Sequence, residues 1–301
     1  ASYRRQRQMC IRDRNNPEVI FAEKYDYDEG KSHQWDALAQ PSGFGFNWSS
    51  NYTVYLETLE QFDFTDGTSG MLDRSIYDDA TEIDPNWFFE MRDPRMKASI
   101  FYPGSSFKGG TVHFHRSMSG SLSGWPRTGP SKHIGSMATG LLIRKRTNPE
   151  TPDATRSSTD YIIFRLGEII LNYVEAAFYL NDPNGDMLAN LNNLRDRAGM
   201  PSLSIGQVSQ DKIRQERRCE LAFEEHTFWD LRRWRIAVEE LDNKQRHRLH
   251  YRYNANTKKY TIEMAPGDLG GVRLHPPRNY YYALGLSRLA DNPKLIENPG
   301  Y

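Results

Sequence analysis

The stretch "RQERRCELAFEEHTFWDLRRW", Arg214 to Trp234, sets charges of both signs among the large rings of Phe223, Phe228, Trp229 and Trp234. Placed on a helix, Glu216, Glu220 and Glu224 fall four residues apart along one stripe with Arg217 beside them. Ile213, Leu221 and Cys219 then turn inward, and Leu231, Trp234, Val238 and Leu241 continue an apolar seam. Charge beside such a seam is tolerable only when it is paired and hydrogen-bonded, and the planar fork of arginine suits a carboxylate. The pattern therefore reads as a structural Arg–Glu network that fixes how helices pack. A catalytic reading exists as well, since two carboxylates about 5–9 Å apart can hydrolyse a glycosidic bond. No Gly-rich or strand-end motif presents these glutamates to a substrate, and each has an arginine close by. The enzyme reading is the weaker one.

Working outward, the 301 residues suffice for one large domain or two small ones. Lys plus Arg number 39 and so do Asp plus Glu, so no net field favours nucleic acid or an anionic membrane. Aromatics make up 12% against 38% hydrophobic residues overall. They lie mostly among Gly, Ser, Asp and Asn, a setting in which flat rings meet a polar ligand such as carbohydrate. Rings serving only as core are the competing reading. Cys10 and Cys219 are the sole cysteines, which excludes a disulfide framework. No apolar run approaches the ~18–20 residues that a membrane-spanning helix needs. The first residues, "ASYRRQRQMCIRDR" (1–14), have no hydrophobic period and read as a translated cloning or sequencing-adapter scar outside the fold.

Residues 15–160 form a loop-rich region with short strands. "EVIFAEKY" (Glu18–Tyr25) reads as a strand, Thr53–Phe62 as a helix closed by the Asp66-Gly67 turn, and "DPRMKASIFYPG" and "GGTVHFHR" as extended runs. The last of these sets His113 and His115 on one strand face, but with no third ligand at a recognisable spacing it is not read as a metal site. Residues 161–301 read as helical. Ile162, Leu166, Ile169, Ile170, Tyr173, Ala176, Ala177 and Leu180 recur at helical spacing, with Ser158 or Thr159 as cap. A second helix carries Leu188, Leu191, Leu194 and Ala198 and stops at Gly199-Met200-Pro201. Residues 161–199 thus form a tetratricopeptide-like helix pair, and one such unit cannot bury its apolar face alone. A third helix is expected over Asp211–Glu225 and a fourth over Phe228–Leu241. "YRYNANTKKYTIEM" alternates like a hairpin around Asn-Ala-Asn.

Four of these segments carry a family resemblance. "YIIFRLGEIILNYVEAAFYLN", "LANLNNLRDRAGMP", "IRQERRCELAFEEHTFWDLRRW" and the terminal "NPKLIENPGY" resemble, in order, the motifs of the SusD/RagB family, the surface nutrient-binding lipoproteins of Bacteroidota. The matching positions are Arg165, Glu168, Glu175, Arg195, Arg197, Gly199, Glu216, Arg217, Glu220, Leu221, Glu224, Asp230, Leu231, Arg233 and Trp234. "EVIFAEKY", "FTDG" and "RDPRM" also resemble family segments, so the likeness runs from about Asn16 onward. Gly167 stands where the family usually has alanine, and the family's signal peptide, lipid-acceptor cysteine and earlier helical repeats are not seen. The resemblance implies the C-terminal part of a mainly α, tetratricopeptide-like scaffold with a loop-rich ligand-binding region. It also implies non-catalytic glycan binding at the outer-membrane surface, lipid anchoring of the full-length protein, and delivery to a SusC-like TonB-dependent transporter. In that setting the charged motif is scaffold. No cofactor is implied.

In such a protein a ring stacks on the apolar face of a sugar while polar side chains read its hydroxyls. The candidates are Trp35, Trp48, Tyr52 and Trp87, with Asn47, Asn51 and Asn86 alongside and Trp125 in "SGWPRTG" as a further ring. The alternatives to glycan capture are a glycoside hydrolase using Glu216, Glu220 or Glu224, and a repeat scaffold that binds protein.

Overall fold

A computed structural model of the chain describes residues 16–46, 51–119, 139–182, 185–268 and 271–301. Strand β1 (Val19–Glu23) is followed by the short helices α1 (Trp35–Ala39) and α2 (Leu56–Leu59), then β2 (Glu82–Ile83) and a π-helical turn at Asn86–Glu90. Helix α3 (Pro94–Ser99) runs into β3 (Ile100–Phe101), the hairpin β4 (Ser106–Phe107) and β5 (Gly110–Thr111), then β6 (His115–Ser119) and β7 (Leu142–Ile143). Next come β8 (Tyr161–Arg165) and the helices α4 (Leu166–Tyr179), α5 (Met187–Ala198), α6 (Gln210–Glu220), α7 (His226–Arg233) and α8 (Ala237–Leu241). The hairpin β9 (His247–Asn254) and β10 (Lys259–Pro266), then α9 (Leu286–Asp291), complete the order.

The helix pair is present, four residues tighter at its start than the periodicity suggests. "YIIFR" is β-branched and aromatic, and it pairs antiparallel with β1 instead of opening the helix. Arg165 remains extended and α4 begins after it. Glu168, Leu171, Val174 and Ala177 then face inward at threefold spacing, against Met187, Leu191 and Leu194 of α5. Gly199 ends α5 in a left-handed conformation, with its N–H donating to Asp196 and that of Met200 donating to Arg195. That is a Schellman stop, which a side chain would strain. Apolar side chains stay exposed at the start of α4 and on the adjoining strand pair: Leu166 and Ile169 on the helix, Phe164 on β8, and Ile20 and Phe21 on β1.

Elsewhere the elements are shorter than expected. Of the helix anticipated over Thr53–Phe62, only Leu56–Leu59 forms. The third helix stops at Glu220 rather than Glu225, because Phe223 and Glu225 adopt positive φ. The fourth is two helices, broken at Arg235, again at positive φ. Part of "DPRMKASIFYPG" is helical, not extended: Asp93 accepts the Arg95 amide and Pro94 holds the first helical position. Asp-Pro is a regular helix start, and the alternating hydrophobicity beyond it obscured the signal.

The hairpin lies in a four-stranded sheet of order β2-β10-β9-β6, with β6 parallel to β9. Its inner face, with the α2, π-turn and α3 segments, builds an aromatic core that includes Phe62, Phe88, Phe89, Phe101, Tyr251 and Tyr260. Among the described residues, half of the rings in the loop-rich region thus belong to this core. Cys219, Ala222, Leu249 and Ile262 join the same cluster, so this core draws on both sides of residue 160.

Candidate functional site: an aromatic cleft beside a buried ion-pair network

The charged motif folds into a connected network. Glu216 on α6 accepts from Arg95 at 2.5 Å and from Arg195 at 2.7 Å. Glu220, one turn on, accepts from Arg95 at 3.1 Å, from Arg165 at 2.7 Å and from Arg197. Glu224 lies past the helix end, and the left-handed turn brings it back to Arg165, at 2.7 and 2.9 Å, and to Lys145. Arg217 reaches Asp230 and Asn172, both at 2.7 Å, with Glu168 at 4.0 Å. Glu175 receives both arms of Arg233 and the Trp234 indole N–H. Arg95 and Lys145 were not foreseen as members, since their link to the motif is spatial, whereas Asp230 belongs to the motif itself and joins through Arg217. Gly167 lies directly against this arrangement. A Cβ there would stand 2.5 Å from Arg165 Nη1 and 3.0 Å from Glu220 Oε1. The glycine makes room for the guanidinium.

Electrostatics follow from this geometry. Burial pushes the Glu220 carboxyl up, but Arg165, Arg197 and Arg95 outweigh it and hold it well below the usual range. Burial acts on Glu224 in the same sense, and Lys145 with Arg165 brings it down to about 2. A carboxyl held so low has no proton to donate near neutrality, which argues against Glu220 or Glu224 as a general acid. It also makes stability acid-sensitive. A folded pKa depressed below the ordinary 4.5 contributes stability that is complete above 4.5 and lost as pH falls towards about 2. The urea midpoint should therefore drop across that window, and Glu224→Gln should flatten the drop. An unchanged pH slope in the variant would show that other groups govern acid unfolding.

Beside the network opens a cleft of about 750 Å³. Trp35 and Tyr52 form part of its wall, stacked at 4.9 Å with 24° between the rings. Trp35 is fixed by its indole N–H, which donates to the Lys145 carbonyl at 3.1 Å, and the Arg146 guanidinium lies 4.1 Å from its ring centroid. Its stacking surface is thus largely taken up within the protein. Trp87 is not part of this wall. It sits in the π-helical turn, 42% exposed, stacked on Phe64 at 5.4 Å. Asn51 is exposed and tied to Leu38 through its backbone amide, and the Asn86 amide donates to Asp84. Asn47, Trp48 and Trp125 lie outside the described residues.

The ring that the sequence reading missed is Trp229. With Phe228 it lines the cleft from α7, 56% exposed, while Leu231 two positions later is buried. Two residues turn a helix by about 200°, so a tryptophan two before a buried seam leucine faces outward. That offset was the available signal. Tyr55, Thr58, Gln61 and Thr227 add hydroxyl and amide groups to the lining. Among the described residues no group of three or more His, Cys, Asp or Glu is arranged to hold a metal ion, and no helix is long and apolar enough to cross a membrane.

Comparison with known proteins agrees with the architecture. The model of the SusD family matches residues 17–301. SusD-like protein P2 of Formosa agariphila is 32% identical over 93 residues, covering 28% of this chain and 18% of that protein. A solved SusD-like protein from Bacteroides fragilis superposes with a TM-score of 0.72 at 26% identity, over 99% of this chain and 57% of the other. A second from that species, described as a SusD-like carbohydrate-binding protein, gives 0.66 at 23% identity, over 93% and 55%. The chain thus spans little more than half the length of these structures. With the match running from the first strand to the final tyrosine, the chain belongs to the SusD family.

Proposed function

We propose that the chain binds a glycan, without chemistry, in the cleft walled by Trp35, Tyr52 and Trp229, and that the whole protein passes it at the outer-membrane surface to a TonB-dependent transporter. Three observations support the reading. The chain is a SusD-family member, and a relative of the same fold is described as carbohydrate-binding. The cleft combines rings with uncharged polar groups at a size suited to a few sugar units. Above all, Trp229 offers an exposed ring inside a concave site, which is how a sugar face is held. Delivery to a transporter and surface anchoring rest on family membership alone. Trp48, four residues from Tyr52, remains a candidate contact.

Trp229→Ala is expected to weaken glycan binding by about 1–2 kcal/mol, roughly tenfold, from the lost ring contact. The ring is mostly solvent-facing, so thermal stability should hardly move. Calorimetry against an oligosaccharide panel reads the effect. Unchanged affinity in a folded variant would remove the cleft as the site. New reducing ends released by the unmodified chain would replace the binding reading with a hydrolase.

A further inference from the structure

The charges on the cleft wall match one for one. Arg146, Arg218 and Arg246 line it together with Glu57, Glu225 and Glu240. Each arginine is already engaged inside the wall. Arg146 lies 3.6 Å from Glu225 and stacks between the rings of Trp35 and Tyr161, at 4.1 and 4.8 Å. Arg218 donates to the Glu240 carboxylate at 2.9 Å. Arg246 donates to the Glu240 backbone carbonyl. Glu57 accepts the His247 amide at 3.1 Å, and its carboxylate meets the imidazole. We infer, resting on the proposed glycan site, that this cleft selects uncharged glycans and rejects uronate- and sulfate-bearing ones.

The physical reason is a comparison of what each ligand would meet. A site built for an anionic glycan carries surplus arginine or lysine, whose forks close on the carboxylate or sulfate. Here an incoming anion has to displace Glu225 from Arg146, the Glu240 carboxylate from Arg218 or the Glu240 carbonyl from Arg246, or else lie beside three carboxylates. Either way the like charges repel and the displaced partner loses its hydrogen bonds. A neutral sugar asks for none of this. The Thr58, Thr227 and Tyr52 hydroxyls can exchange hydrogen bonds with sugar hydroxyls in either direction. The rings take the apolar face.

The test is calorimetric titration of the chain with cellohexaose, mannohexaose and laminarihexaose as neutral probes, and with hexagalacturonate and a sulfated carrageenan oligomer as anionic ones. At least one neutral probe should bind, at least about tenfold tighter than either anionic probe, with affinity that barely changes from low to high salt. In the double variant Glu225→Gln, Glu240→Gln, two arginines lose their counter-charges. That variant should gain about tenfold or more for hexagalacturonate at low salt and lose the gain at high salt. Preference of the unmodified chain for an anionic probe, weakened by Trp229→Ala, would overturn the inference while leaving the glycan site standing. Failure of the double variant to gain affinity for the anion would also overturn it. If no probe binds the unmodified chain, the glycan reading falls and this inference falls with it.

Discussion

Glu220→Ala is expected to lower unfolding free energy by about 3–5 kcal/mol, the usual cost of removing one partner from a buried ion cluster. Glu220 is buried and accepts from three arginines. Each keeps at least one other carboxylate neighbour: Arg95 keeps Asp93 and Glu216, Arg165 keeps Glu224, and Arg197 keeps Glu18. Of those carboxylates Glu216 is shared with Arg195 and Glu224 with Lys145, so loss of Glu220 leaves the cluster one negative charge short. Glu220→Gln retains an acceptor of the same size and should cost less than the alanine change. Urea denaturation followed by circular dichroism measures both. A cost within about 0.5 kcal/mol, as for an ordinary surface change, would show the cluster to be structurally idle.

The second large effect is expected at Arg92, which is fully buried in the aromatic core. Its Nε donates to the Phe88 carbonyl at 2.8 Å, and Nη1 donates to Phe62 and Gly70 at 3.0 and 2.9 Å. The guanidinium also lies over Phe64 and Phe88. Two terms oppose each other on replacement. Burial penalises the cation, bringing its pKa down to about 10, so removing the charge recovers some desolvation energy. Against that stand three charge-assisted hydrogen bonds, each worth about 1.5–3 kcal/mol, and carbonyls of the Phe62–Gly70 loop left without a donor. The hydrogen bonds win, and Arg92→Met should destabilise by about 3–4 kcal/mol. Arg92→Lys should recover little, because a single ammonium cannot reproduce the fork. A methionine variant as stable as the parent would mean the loop finds other donors.

The parts legible in sequence are those whose partners are close along the chain. The α4–α5 pair follows from a threefold apolar spacing and a Gly-Met-Pro stop, and its start is displaced only because "YIIF" finds a strand partner in β1, some 140 residues earlier. The glutamate stripe is partly an accident. Glu216 and Glu220 do share a helix face, whereas Glu224 reaches Arg165 through a left-handed turn that no periodicity encodes. Lys145 and Arg95 could not be inferred, since nothing local marks a loop lysine or an α3 arginine as partner to a distant carboxylate. In the cleft, Trp35 and Tyr52 stood out as rings in polar surroundings, and the structure brings them together while leaving Trp87 on Phe64. Trp229 was overlooked because its neighbours Leu231 and Trp234 made the segment read as seam.

Arg95 precedes Glu216 and Glu220, the glutamates it joins, by 121 and 125 residues. Closing so long a loop costs chain entropy that is repaid only once α3 and α6 already stand side by side. The Arg95 arm of the cluster is therefore expected to close late, after the folding barrier. Damage to Glu220 will appear as faster unfolding with refolding nearly untouched. What that arm governs is the lifetime of the native state, not the speed of reaching it.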